Sequence, residues 1–225
     1  MPTEFETLIQ VVKLMSVIAI VAYIVTRTNW FFEVCNRKIA LRSELLLTGI
    51  FGALSIFGNY SGVEILGAIA NVRDLGPMIA GLIGGPVVGL ATGLIGGVYR
   101  YYLGGFTAVP CSLSTVLSGL LGGVIWIWKK KLIGAIWATV FAFSMESLHM
   151  ALTLMLAKPF SEALAVVQAV YLPMAFGNSL GMAIFAFIVD NVTEERRTAL
   201  ERDRLQQELM QKEIRIRELE IGRLK

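Results

Sequence analysis

Apolar residues fall in long blocks along the first 190 positions, and polar residues collect in the short gaps between them. Apolar windows of about 17–25 residues read as membrane-spanning helices. Six elements are predicted, over 8–26, 43–60, 75–99, 111–128, 132–157 and 169–189. The joints are brief. "WKKKL" (128–132) leaves a tight turn between the fourth and fifth elements, and "KPFSEA" (158–163) separates the fifth from the sixth. Past Asp190 the pattern changes. Residues 191–225 carry nine Lys/Arg and eight Asp/Glu. The expected organisation is a membrane domain, 1–190, followed by a charged tail, 191–225. The fold class expected is an all-α integral membrane protein, a compact glycine-rich helical bundle. The first apolar run lacks a basic leader and a small-x-small cleavage site, so it reads as a membrane helix rather than a signal peptide.

Loops rich in Lys and Arg face the cytoplasm. Arg27, Arg37, Lys38 and Arg42 crowd the first loop, Lys129, Lys130 and Lys131 fill the fourth, and the tail is charged throughout. All three are expected inside, with the acidic N-terminus (Glu4, Glu6) and the stretch 61–74 outside. The third element, 75–99, must then begin and end on the outer side. A straight helix cannot do this, whereas a re-entrant hairpin can where protein surrounds its backbone. Gly84-Gly85-Pro86 marks the fold-back, since proline removes a donor and disfavours helix at the residue before it. Five crossings plus a re-entrant or broken helix are therefore expected. The rival is six full crossings, favoured by the strict spacing of Gly81, Gly85, Gly89, Gly93 and Gly97, which gives one continuous helix a smooth packing face. The repeat "AGLIGGPV" (80–87), "TGLIGGVY" (92–99) and "SGLLGGVI" (118–125) adds three glycine corners.

Charges at membrane depth are costly and usually functional. Arg73 and Arg100 bracket the third element. In the hairpin both lie at one end; in a straight helix about 40 Å separates them. Arginine suits a planar carboxylate because its fork donates two parallel hydrogen bonds. "AVPCSLSTVL" (108–117) follows, with Pro110 fitting the first turn of a helix. Cys111, Ser112, Ser114 and Thr115 then sit near a helix N-terminus, where free N–H groups attract anions. Arg100 has a second reading, as an anchor snorkelling to headgroups beside Tyr101 and Tyr102. Arg73 and Asp74 read equally as a surface ion pair, and Asn71 or Asp74 as a cap of the next helix. Glu146 and His149, three apart, share one helix face as a proton-sensing or arginine-pairing pair, or as a plain packing contact. Lys13 and Glu44 read as snorkelling side chains.

Only 16% of residues are charged and 56% are hydrophobic, against about a quarter charged in soluble domains. No basic stripe or nucleic-acid motif is present. Cys35 and Cys111 suit neither a metal site nor an obvious disulfide. No catalytic triad, metal spacing or phosphate loop appears, so neither enzymatic activity nor a cofactor is expected of the chain itself. In the tail, Leu205, Leu209, Ile216 and Leu219 follow a three–four spacing. Leu200, Met210, Ile214, Ile221 and Leu224 partly follow a second register. Such spacing predicts a cytoplasmic parallel coiled-coil dimer, against a plain solvated helix.

The stretch "NVRDLGPMIAGLIGGPVVGLATGLIGGVYRYYLGGFTAVPCSLSTVLSGLLGG" (71–123) resembles the core of the five-transmembrane receptor domain of the LytS–YhcK type. The resemblance runs over about residues 40 to 190. It implies the membrane sensor of a bacterial histidine kinase or diguanylate cyclase, in the inner membrane, with the C-terminus cytoplasmic. It further implies an effector module beyond the tail that this chain does not contain, and a response regulator reached only through that module. Some members are pyruvate receptors. Their binding residues would fall on Arg73, Arg100, Cys111 and Ser114, and Glu146 also matches family members. The candidate ligand site is thus Asn71, Arg73, Arg100, Cys111, Ser114, Thr115 and Glu146, for pyruvate or a similar small carboxylate. The partners implied are that ligand, membrane lipid and a second copy of the chain. The alternatives are a small-molecule transporter or substrate-binding subunit, and a dimerising membrane module without ligand.

Overall fold

The computed structural model describes residues 16–36, 40–129 and 133–223, with side chains through Ile216. Glu4, Glu6, the predicted first span over 8–15 with Lys13, and Arg37, Lys38, Lys130, Lys131 and Leu224 lie outside the described residues, as do the side chains of Leu219 and Ile221. The elements are α1 (Ser16–Thr26), α2 (Asn29–Cys35), α3 (Leu41–Tyr60), β1 (Val63–Ile65), β2 (Ala68–Ala70), α4 (Leu75–Gly84), α5 (Pro86–Tyr102), α6 (Ala108–Trp128), α7 (Ala135–Leu156) and α8 (Phe160–Arg223). By length and composition α3, α6, α7 and α8 can each cross a membrane, and the α1–α2 pair, bent by 90°, brings the number up to 5.

The third predicted element is a hairpin. Gly85 takes φ 87° and ψ −175°, a conformation open to glycine, and Pro86 starts α5 without needing a donor partner. A β-carbon at Gly89 would lie 2.7 Å from Gly81 Cα, eight residues earlier. In a continuous helix those positions stand about 12 Å apart. The two arms run opposite ways along α6. On α4, a β-carbon at Gly122 would sit 2.9 Å from the Met78 carbonyl, and one at Gly81 2.8 Å from the Gly123 nitrogen. On α5, Gly93 meets the Thr115 carbonyl at 2.9 Å and Gly97 the Ser112 carbonyl at 3.0 Å, measured the same way. So α4 is parallel to α6 and α5 antiparallel, and Arg73 and Arg100 come to one end. The six-crossing rival is overturned. The four-residue glycine series does not form one face; it is divided between two arms that close on Gly119. All ten residues of α4 are buried, so its backbone is enclosed by protein, as a half-crossing helix requires.

Around the hairpin, α3 packs antiparallel to α4, with Gly76 against the Phe51 carbonyl and Gly58 against the Arg73 backbone. α7 and α8 pair antiparallel, joined by Ser147–Tyr171 near one end and by the Ala135 N–H on Asp190 near the other. The core holds Ile18, Phe31, Leu47, Phe51, Leu75, Met78, Ile79, Met182 and Phe185. Large apolar side chains such as Ile136, Trp137, Leu172 and Phe176 point outward. Three features went unpredicted. β1 and β2 form a small antiparallel hairpin over 63–70, turned by Leu66 and Gly67, both at positive φ. α2 is a short helix across the end of α1. The last helix begins at Phe160 rather than 169, contains Pro173, and continues unbroken to Arg223. At the tail end, Arg196 of α8 donates to the Thr28 carbonyl at 3.3 Å and to the Arg27 carbonyl, and stacks 5.5 Å from the Phe32 ring.

The glycine junction is testable. A β-carbon at Gly119 would meet the Gly89 carbonyl, whereas one at Gly49 meets nothing within 4 Å. Gly119→Ala is expected to cost about 1–3 kcal/mol, the range for overpacked sites, and to lower the thermal midpoint in detergent. Gly49→Ala is expected to hold or raise it. Equal midpoints for the two variants would contradict the close backbone contact.

Candidate functional site

The start of α4 and the start of α6 lie side by side, and the polar residues of both are buried there. Arg73 and Arg100 are 0% exposed, Asp74 4%, Glu146 1% and His149 2%. Charges this deep must be paired or hydrogen-bonded.

Arg73 is satisfied on every side. Its Nε donates to Thr115 Oγ1 at 2.9 Å and lies 3.4 Å from Asp74 Oδ1. Its Nη1 donates to Asn71 Oδ1 at 3.0 Å, and Nη2 to His149 Nε2 at 3.3 Å. Asn71 also accepts the Arg73 backbone N–H at 3.2 Å and donates to Asn59 Oδ1 at 3.4 Å. Asp74 accepts from Thr115 Oγ1 at 2.7 Å and from Ser114 Oγ at 3.2 Å. The Arg73–Asp74 pair is therefore interior, not a surface pair. Asp74 sits at the N-cap position of α4 without making a side-chain cap bond. Ser114 and Thr115, read as ligand hydroxyls, hold this carboxylate.

A second branch crosses to α7 and α8. His149 Nε2 lies 3.2 Å from Cys111 Sγ, and Nδ1 lies 3.0 Å from Glu146 Oε1. Because an arginine N–H can only donate, Nε2 accepts and the ring proton sits on Nδ1, pointing to Glu146. Glu146 Oε2 accepts from Asn178 Nδ2 of α8 at 2.7 Å. The 3-residue spacing of Glu146 and His149 thus produces the shared face foreseen for it.

Arg100 differs from Arg73. Its Nη1 donates to the Gly104 carbonyl at 2.7 Å and Nη2 to Thr107 Oγ1 at 2.9 Å. Its Nε is buried without a hydrogen-bond partner. Among the described residues it makes no ion pair. Thr107 in turn accepts the Cys111 backbone N–H at 3.1 Å, one turn further along α6. The anchor reading of Arg100 does not hold, because Tyr101 and Tyr102 face outward while Arg100 turns in.

One donor atom each of Asp74, Glu146 and His149 lies within 4.8 Å of the others. This could form a ligand set for a metal, but the Arg73 guanidinium lies 3.4 Å from Asp74 Oδ1 and 3.3 Å from His149 Nε2, and its charge opposes a cation there. The arrangement suits a small anion with oxygen acceptors. Six of the seven predicted site residues share this hydrogen-bonded centre, and Arg100 stands beside it, linked through Thr107. Asp74 was read only as a partner or cap, His149 was paired with Glu146 but left out of the candidate ligand site, and Asn59, Thr107 and Asn178 were missed. Asn178 did carry a signal, as a lone amide inside the last apolar segment.

Fold and site together define a multi-pass helical membrane domain built around a buried arginine–carboxylate centre. The family model described as the 5TMR of 5TMR-LYT matches residues 28–192, and the chain belongs to that family of membrane receptor domains. It is 32% identical over 192 residues to the sensor histidine kinase BtsS of Escherichia coli K12, across 83% of this chain and 34% of that protein. It is 33% identical over 218 residues to the sensor protein LytS of Bacillus subtilis strain 168, across 88% and 37%. To the sensor histidine kinase YpdA of Escherichia coli K12 it is 30% identical over 210 residues, across 88% and 35%. The chain thus spans about a third of the length of the curated relatives it matches. No solved structure matches it.

Removing Asp74 leaves Arg73 buried without a carboxylate. Asp74→Ala is expected to destabilise the domain by about 3–5 kcal/mol, while the double variant Arg73→Leu/Asp74→Leu recovers most of the loss. Denaturation in detergent measures both, and a single variant as stable as the parent would remove the pair from the centre of the structure.

Proposed function

We propose that this domain is the input half of a bacterial sensor histidine kinase in the cytoplasmic membrane, and that it binds a small carboxylate, pyruvate being the first candidate. The ligand carboxylate pairs with Arg100 beside Cys111, and Arg73, Asn71, Ser114, Thr115 and Glu146 form the wall of the site. One observation carries this reading: Arg100 is fully buried and has neither an acidic partner among the described residues nor an acceptor for its Nε. A buried guanidinium in that condition gains most from an anion supplied from outside. The names of the relatives support the sensor role, and the match of Arg73, Arg100, Cys111 and Ser114 to the residues expected in pyruvate-receptor members supports the ligand.

The site end is then external and the tail end cytoplasmic, in keeping with the basic residues at the latter. The domain works as a homodimer in lipid, and its tail leads to a kinase portion that meets the response regulator. The dimer forms through 191–225. Leu205, Leu209 and Ile216 of one register and Leu200, Met210 and Ile214 of the other are all exposed on α8, and a ligand that shifts α8 changes which register pairs.

Isothermal titration of pyruvate into the purified domain tests the site. Saturable binding is expected for the parent, and a loss of tenfold or more in affinity for Arg100→Ala. Binding that survives unchanged in the variant would take the carboxylate away from Arg100. Disulfide scanning through the tail in membranes tests the dimer. Leu205→Cys and Leu209→Cys are expected to cross-link more than Arg204→Cys, with yields that change on adding pyruvate. A flat profile would count against a coiled coil.

A further inference from the structure

We infer that Cys111, His149 and Glu146 act as nucleophile, base and orienting group, so that Cys111 Sγ adds reversibly to the ketone carbon of a bound 2-oxo acid. This inference rests on the carboxylate reading of Arg100 given above and narrows the ligand class from carboxylates to 2-oxo carboxylates.

The geometry is that of an activated thiol. Sγ and Nε2 are 3.2 Å apart, and Nδ1 is held by Glu146 at 3.0 Å. Glu146 is itself fixed by Asn178 at 2.7 Å. A nucleophile in reach of a base, with the base oriented by a third group, is the pattern shared by thiol and hydroxyl nucleophiles on unrelated folds. One tautomer serves the row, with the proton on Nδ1 and the Nε2 lone pair shared between the Cys111 thiol at 3.2 Å and the Arg73 Nη2 N–H at 3.3 Å. A packing role for Cys111 would need neither the base nor its orienting carboxylate. The second observation is Arg100, whose unpartnered Nε is buried and whose Nη2 donates to Thr107, the residue whose carbonyl accepts the Cys111 backbone N–H at 3.1 Å. A carboxylate bound there brings the adjacent ketone carbon toward Sγ.

The step balances without oxidant or reductant. The thiol proton passes to Nε2, the C–S bond forms as the C=O π bond breaks, and the proton returns from Nε2 to the ketone oxygen. The product is a neutral thiohemiketal hydroxyl beside the intact carboxylate, and reversal releases the ligand. Glu146 acts through His149 and is a positioning residue.

The test is carbon NMR of the 225-residue chain in detergent with pyruvate labelled with carbon-13 at C2, beside titrations of pyruvate and L-lactate. The expected result is a bound tetrahedral carbon signal distinct from free ketone and hydrate and correlated through sulfur with the Cys111 β-protons. Pyruvate should then bind at least tenfold more tightly than lactate, and Cys111→Ser should abolish both the signal and the preference. His149→Gln should slow approach to equilibrium by about 100-fold, the usual size of a general-base contribution. Bound pyruvate whose ketone carbon stays trigonal overturns the adduct and leaves the carboxylate clamp standing. Absence of pyruvate binding overturns both. The unmodified chain alone decides, so a variant that fails to fold does not affect the outcome.

Discussion

The backbone of Gly119 touches the backbones of Gly81 and Gly89, and everything else in the domain is arranged around that contact. Lipid tails are as apolar as leucine, so helices in a bilayer gain little from hiding apolar side chains and depend on close packing. Here packing reaches the limit set by the backbone. With no side chain at the junction, α4 can descend beside α6, turn at Gly85 under the Trp126 ring, and return as α5 on the other side of the same helix. The hairpin brings the two ends of a 27-residue apolar stretch, Arg73 and Arg100, to the head of α6. A straight helix from the same residues would place them on opposite faces of the membrane.

Once together, the two arginines divide the work. Arg73 is built in: asparagine, threonine, aspartate and histidine account for its donors, and it organises the ends of α3, α4, α6 and α7 as a buried ion can only when fully bonded. Arg100 is held at two nitrogens by a loop carbonyl and a threonine, and nothing described meets its third. The sequence presents both as lone arginines beside glycine-rich helices, yet their surroundings make one structural and leave the other with free capacity. On the function proposed above, mutations at the two positions report on different things, stability at Arg73 and ligand at Arg100.

Much of this was legible in the residues because membrane physics constrains the chain so tightly. Span lengths, the basic loops and the glycine-proline break together required a fold-back, and six of the seven predicted site residues share one hydrogen-bonded network, with Arg100 beside it through Thr107. What was missed shares a cause. Asp74 sits next to an arginine and looks like a local pair, but its importance comes from Ser114 and Thr115, forty residues on. His149 takes its meaning from Cys111, 38 residues away, and Arg73, 76 away, and Asn178 from Glu146. A polar side chain in an apolar helix signals that it has a partner without saying which. The glycine series erred in the opposite direction: regular spacing suggests one face of one helix, and spacing alone cannot reveal that the backbone reverses at Gly85.

The same buried network ties α8 to the site. It is held at two points of different kinds. Asn178 grips Glu146 inside the bundle, and Arg196 grips the α1–α2 elbow where α8 leaves it. These points are 18 residues apart, about 27 Å along one unbroken helix. Any change that moves Cys111 or His149 acts on Glu146 and thus on the upper point, through hydrogen bonds too buried for water to replace. The lower point is exposed and partly ionic, with Arg27 and Glu195 at 3.5 Å, and yields more cheaply. On the function proposed above, a helix fixed firmly above and loosely below is the route by which a displacement at the site would pass the elbow to the exposed apolar registers of the tail.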